Sequence, residues 1–117
     1  MSAMPIEQVS VTDLPDDFTK DERVVLDVRE DDEWAEGHIR GALHIPLNDV
    51  PERLDELDLD AELFVVCRSS GRSMRILQYL EHVGYEGKCV RGGMVAWLGA
   101  GKPVDTGNDA GSNRDGE

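Results

Sequence analysis

Short apolar runs alternate along the chain with amphipathic stretches of helical period, an order that reads as strands separated by helices. Val24-Val25-Leu26-Asp27-Val28 follows a charged turn and reads as a buried strand. Leu63-Phe64-Val65-Val66 reads the same way and stops at Cys67, and Lys88-Cys89-Val90 is a briefer run. Shorter strands are expected near Ile6 to Val9, followed by a turn or short helix, and at Ala42 to Ile45, which Pro46 closes. Between them, Asp31 to Ile39 opens with acidic residues that suit a helix N-terminus, and Gly37 ends it. Asn48 or Asp49 can cap a helix to about Leu57, with Pro51 in its first turn and Val50, Leu54 and Leu57 along one face. The most regular helix runs from about Ser73 to Val83, with Met74, Leu77, Leu80 and Val83 on one face and Gly84 as its stop. Gly92-Gly93 leads into a last helix, Met94 to about Gly99.

Strands joined by helical crossovers imply an α/β domain: a mainly parallel sheet with helices on both faces. At 117 residues the chain suits one domain, and it can bury roughly two thirds of its unfolded surface without metal or disulfide staples. That domain is expected over residues 1–104. Asp105 to Glu117 holds almost nothing to bury and is expected to be a disordered acidic tail. No apolar run approaches the roughly 20 residues that span a bilayer, and Met1 to Ser10 lacks the basic start and apolar core of a secretory signal. Two cysteines without a Cys-x-x-Cys pair make no disulfide framework, so a cytoplasmic, reducing location is expected.

Charge narrows the partners. Twelve basic residues against 25 acidic ones give a net charge of −13, which repels nucleic acid phosphates and anionic lipid, so neither nucleic acid nor membrane is an expected partner. Solubility is the ordinary meaning of such acidity, and a salt-rich cytoplasm is the sharper one. Against this background, basic residues clustered at one place need a reason.

They cluster in Val66-Cys67-Arg68-Ser69-Ser70-Gly71-Arg72-Ser73, between the end of a strand and the start of a helix. Binding sites of open α/β sheets lie at the carboxyl ends of strands, and a helix N-terminus there offers unpaired amides and a positive dipole. Ser69, Ser70 and Gly71 are small enough for the backbone to curl with several N–H groups inward, and Arg68 and Arg72 add positive charge. A cysteine so placed is expected to be partly thiolate, the nucleophilic form, although a small buried hydrophobe is the ordinary role of a free cysteine at a strand end. Cysteine phosphatases need Cys-x5-Arg to wrap a phosphate. Here Arg72 falls one position early and Ser73 takes the arginine's place, so the loop suits a single extra sulfur on Cys67 better than a phosphate.

With these residues in view, the chain resembles single-domain rhodaneses, the thiosulfate sulfurtransferase-like proteins. Leu26-Asp27-Val28-Arg29 resembles the family's Asp-x-Arg after the second strand, and Glu33 through Gly37-His38-Ile39-Arg40-Gly41-Ala42 to Pro46 resembles its first signature. Cys67 to Arg72 resembles the six-residue active loop, and Gly92 to Trp97 with Gly101 to Val104 the C-terminal signature. The resemblance implies a five-stranded parallel sheet with Cys67 in a cradle at its edge. It implies transfer of a sulfane sulfur, from thiosulfate or a similar small anionic donor, through a Cys67 persulfide to a thiophilic acceptor such as cyanide, a thiol or a protein. No cofactor and no metal are implied. Arg68 would attract the donor, Arg72 would hold its oxygens or steady the loop, and the backbone of Arg68, Ser69, Ser70, Gly71, Arg72 and Ser73 would bind the sulfur.

Other residues carry plainer expectations. Asp27 and Arg29 read as a structural ion pair near the loop. His38 and His44 make a poor metal site without a third ligand and read as structural, and His82 reads as a surface residue late in a helix. Trp34 and Trp97 read as packing residues. Met74, next to Ser73, is expected to border the site, though its helix face already explains it. Cys89, within a strand, reads as a buried thiol rather than a resolving one. Besides the thiosulfate enzyme, a persulfide carrier fed by a partner protein shares the same loop, and a non-catalytic interaction domain is the remaining alternative. The basic loop favours a small anionic donor, and the acidic surface as a whole would suit a basic protein partner.

Overall fold

The structure is a computed structural model that describes residues 5–19 and 22–107. Five strands, β1 (Gln8–Val9), β2 (Arg23–Asp27), β3 (Leu43–His44), β4 (Glu62–Val66) and β5 (Lys88–Val90), pair in parallel in the order β1-β5-β4-β2-β3. β4 is therefore central. Parallel strands covered on both faces need apolar side chains pointing both ways, which is why Leu63 to Val66 form an unbroken buried run. Alternation along the strand sends Leu63, Val65 and Cys67 to one face, where Ile76, Leu77 and Leu80 of α2 (Gly71–His82) pack. Phe64 and Val66 go to the other face, against Met94 and Trp97 of α3 (Gly93–Gly99). Burial of side chains of this size contributes about 1.5–3 kcal/mol each. Both edge strands are only two residues long, which limits the unpaired backbone open to another chain.

α1 (Asp31–Glu36) starts where the charge pattern places it, and the Glu33 carboxylate accepts the Glu30 N–H at 2.9 Å. It ends before the expected Ile39, at the Gly37 cap, which frees Ile39 to enter the core fully buried. The segment after β3 corrects the sequence reading. Leu47–Glu56 forms 3-10 turns kinked at Arg53, with Pro46 rather than Asn48 or Asp49 in the capping position. Because the turns begin at Leu47, Pro51 falls past the first turn, where an α-helix would need its missing N–H. The expected apolar face survives: Val50 and Leu57 are buried and Leu54 packs beside them.

α2 begins two residues earlier than expected, at Gly71, so the helix N-terminus moves to the cysteine loop. The described chain also passes the expected boundary at residue 104. The Asp105 and His38 backbones exchange two hydrogen bonds of 2.8 Å, Asp105 pairs with Arg40, and the Gly107 N–H bonds the Ala35 carbonyl. The rest of the expected tail, 108–117, lies outside the described residues. No helix among the described residues is long and apolar enough to cross a membrane.

Candidate active site

Cys67 follows the last residue of β4 and only 1% of it is exposed. After Ser69 and Ser70 the chain enters α2, whose Ser73 N–H donates to the Cys67 Sγ at 3.3 Å. Among the described residues, the backbone N–H groups of Arg68, Ser69, Ser70, Gly71 and Arg72 donate to no protein atom. The Ser73 hydroxyl is fully buried and likewise unpartnered.

The turn between β5 and α3 orients this loop. The Met94 N–H bonds the Cys67 carbonyl at 2.8 Å and the Val95 N–H bonds the Arg68 carbonyl at 3.0 Å. In a trans peptide the carbonyl and the following N–H point opposite ways. With carbonyls turned toward α3, the amides that follow them face the other side, where the Cys67 side chain packs. Gly93 makes this approach possible. Its φ is +56°, and an added Cβ would lie 2.3, 2.6 and 2.7 Å from the Cys67, Ser69 and Arg68 carbonyl oxygens. At Gly71, in contrast, an added Cβ meets nothing within 4 Å. The glycine the loop needs is therefore outside it. Ser70 ties down the same junction, its hydroxyl accepting the Gly92 N–H at 3.0 Å.

Arg68 is exposed, while Arg72 is held. The Arg72 guanidinium forms a bidentate pair with Glu33, Nη1 to Oε1 at 2.7 Å and Nη2 to Oε2 at 2.8 Å. Sequence reasoning missed Glu33, because its partner is on another element. The Arg72 hydrogen bonds, opposed by burial and aided by the Glu30 N–H, hold the Glu33 carboxyl down to about 2. A depressed carboxyl contributes stability above its ordinary range and loses it as pH falls toward the folded value. Glu33→Gln is thus expected to cost about 1–2 kcal/mol at pH 7. Its deficit against wild type should close between ordinary carboxylate pH and about 2, which urea midpoints across that range would show. A deficit that does not change with pH would mean that the ionised pair is not its source.

Asp27 and Arg29 are both buried, with Arg29 Nη2 2.8 Å from Asp27 Oδ2. The remaining Arg29 donors reach the Gly37 and Glu33 carbonyls, so this pair braces the connection from β2 to α1. Trp34 stacks with His38, at 3.6 Å between centroids, and with His44, at 4.6 Å. His38 Nδ1 lies 2.9 Å from the Trp34 carbonyl and His44 Nε2 2.8 Å from the Arg29 carbonyl, so backbone holds both rings. Met74 is half-buried and packs against the core cluster on the α2 face. Cys89 is fully buried opposite Val65, one strand over and two positions back from Cys67. Burial pushes its thiol up, against the Ser70 side chain, which lowers it. A cleft of about 620 Å³ opens at the opposite, amino-terminal end of the sheet, between Ile6, Leu59 and Tyr85, far from this chemistry.

Comparison with known proteins gives a consistent picture. The Rhodanese-like domain family matches residues 10–100. The Bacillus subtilis (strain 168) protein YtwF is 45% identical over 101 residues, covering 86% of this chain and 98% of that one. The thiosulfate sulfurtransferase GlpE of Pseudomonas putida is 35% identical over 88 residues, covering 74% and 79%. Among solved structures, a rhodanese-related protein from Thermoplasma volcanium superposes with a TM-score of 0.77 at 29% identity, covering 85% of this chain and 97% of that one.

Proposed function

Because the chain belongs to the rhodanese-like domain family, we propose that it is a sulfurtransferase that moves a sulfane sulfur from thiosulfate, or a similar small anionic donor, through a persulfide on Cys67. The observation that carries this reading is the run of unpartnered amides from Arg68 to Arg72 beside a buried thiol that already accepts the Ser73 N–H. In the first half-reaction the Cys67 thiolate attacks the outer sulfur of the donor. The donor's sulfur–sulfur bond breaks and sulfite leaves with its electron pair. The added sulfur carries negative charge beside a thiol that is only 1% exposed, where the free amides and the N-terminal dipole of α2 stabilise it. In the second half-reaction a thiophilic acceptor attacks the outer sulfur and Cys67 departs as thiolate. The cycle balances without a metal or organic cofactor. Reduced, free cysteines suit a cytoplasmic setting for it.

Arg68 and Arg72 divide the work. Arg68, exposed next to the thiol, draws in the anion, whereas Arg72 is committed to Glu33 and steadies the loop. Asp27 and Arg29 act as a brace behind it. Thiocyanate formation from thiosulfate and cyanide tests the reading. For Arg68→Ala, the thiosulfate concentration giving half-maximal rate should rise about three- to tenfold with little change at saturation. An unchanged concentration dependence would remove Arg68 from donor capture, and no thiocyanate from wild type would remove thiosulfate as the donor.

A further inference from the structure

The described lysines and arginines fall into two groups. Seven of the ten, from Arg23 near the start of β2 to Lys102 after α3, sit in ion pairs with carboxylates. Arg68, Arg75 and Arg91 do not, among the described residues, and all three are exposed. They share one end of the molecule. Arg68 is the residue after the cysteine, Arg91 follows β5 and precedes the Gly92 whose N–H holds Ser70, and Arg75 lies one turn into α2. On the other face of the sheet from α2, α3 exposes Val95 (55%) and Leu98 (57%), three residues apart, and reaches this end through the Val95 N–H bonded to the Arg68 carbonyl. At the cysteine end of a chain with net charge −13, the side formed by β4 and β5 therefore carries three unpaired cations and two apolar side chains, while the exposed Glu30, Asp31 and Asp32 lie on the β2 side at the start of α1.

A small dianion has no use for all of this. It can meet Arg68 and the amides, but two exposed apolar side chains add nothing to its binding. The surface fits something larger that carries negative charge and some apolar side chains. RNA is the poorer fit: the overall charge repels phosphates, and both tryptophans are buried, so neither can stack on a base. We propose that the rim of Arg68, Arg75 and Arg91 with Val95 and Leu98 is the docking surface for an acidic protein segment that carries the acceptor thiol. This deepens the persulfide reading and rests on it for the transfer step alone. In that step the segment's thiolate attacks the outer sulfur of the Cys67 persulfide, and its thiol proton passes to solvent. The bond between the two sulfurs breaks, Cys67 leaves as thiolate, and the segment leaves as a persulfide.

The test uses the full chain and three fluorescent peptides of equal length. Each has one cysteine, flanked by glutamate and leucine, by lysine and leucine, or by serine alone, and a single-stranded RNA of similar length is the fourth probe. Fluorescence anisotropy with unloaded protein should rank the acidic peptide tightest. Arg75→Glu/Arg91→Glu should weaken it about tenfold or more and favour the lysine peptide instead. Val95→Asp/Leu98→Asp should weaken the acidic peptide as well, by like-charge repulsion and lost apolar contact, and circular dichroism checks that both variants fold. Equal binding of all peptides, preference for the lysine peptide or the RNA by wild type, or folded variants that bind as wild type does would each overturn the docking surface. The same peptides are then offered to thiosulfate-treated protein. If Cys67 never gains sulfur, the persulfide reading fails, while the anisotropy result still decides the surface.

Discussion

Replacing Cys67 with serine is expected to abolish sulfur transfer, with thiosulfate-dependent rate falling at least about a thousandfold, while the protein stays folded. The two halves of this expectation have separate causes. The side chain is 1% exposed and lies against the α2 face of the core, so a hydroxyl of nearly the same size fits and can accept the Ser73 N–H in place of the sulfur. The cost to stability is then about 1 kcal/mol. A serine oxygen, however, is neither ionised nor sulfur-seeking at neutral pH, and the amide cradle would have nothing to stabilise. Cys89→Ala is the matching control and should keep most of the activity. Cys89 is fully buried, its thiol is pushed up by burial, and it sits one strand over and two residues back from Cys67. That offset exceeds the span of about 4.4–6.8 Å between α-carbons that a disulfide tolerates. Thiosulfate-dependent transfer surviving in Cys67→Ser but lost in Cys89→Ala would move the nucleophile to Cys89. A single cooperative urea transition for Cys67→Ser, coincident by two probes and only slightly below that of wild type, would show that lost rate is not lost fold.

Gly93→Ala is expected to be among the most damaging single added methyl groups at the described glycines. The residue has φ +56°, and its Cβ would enter a ring of three carbonyl oxygens at 2.3 to 2.7 Å. All three belong to the backbone of the cysteine loop and cannot rotate away as a side chain could. Either the domain absorbs the strain, at about 3 kcal/mol or more, or the turn backs off and the bonds from Met94 and Val95 to the loop are lost. A loss of that size lowers the thermal midpoint by more than about 10 °C in a domain this small. Gly71→Ala supplies the contrast. Its Cβ meets no atom within 4 Å and it begins a helix, so the change should stay within about 1 kcal/mol of wild type. Equal midpoints for the two variants would mean that the close approach of Gly93 to the loop does not hold it in place.

These two glycines also show what could be read along the chain and what could not. The strands were legible because a covered parallel strand must be apolar at consecutive positions, as Val24 to Leu26 and Leu63 to Val66 are. The cysteine loop was legible because its chemistry is contiguous, from Cys67 to Ser73. Gly71 drew notice by lying in that loop, yet Gly93 performs the spatial task, because β5 comes to lie beside β4 and brings the next turn against the loop. Glu33 was hidden for the same reason: its bond to Arg72 joins α1 to α2 across 39 positions. Of the two roles the sequence allows Arg72, holding the donor's oxygens or steadying the loop, its pair with Glu33 supports the second. The segment after Pro46 misled because Pro51 is acceptable in a first turn, and the start at Leu47 places it beyond one. The end of the domain was misplaced by one backbone exchange, between His38 and Asp105, which composition does not announce.

The central claim is that sulfur resides on Cys67 during the cycle, and intact-mass spectrometry tests it most directly. Wild type and Cys67→Ser are incubated with thiosulfate without reductant, weighed intact, and then digested to locate any gain. The account predicts that wild type gains the mass of one sulfur atom, on the peptide carrying Cys67, that added cyanide removes it, and that Cys67→Ser gains nothing. Sulfur on the Cys89 peptide, or equal gain by both proteins, would contradict it.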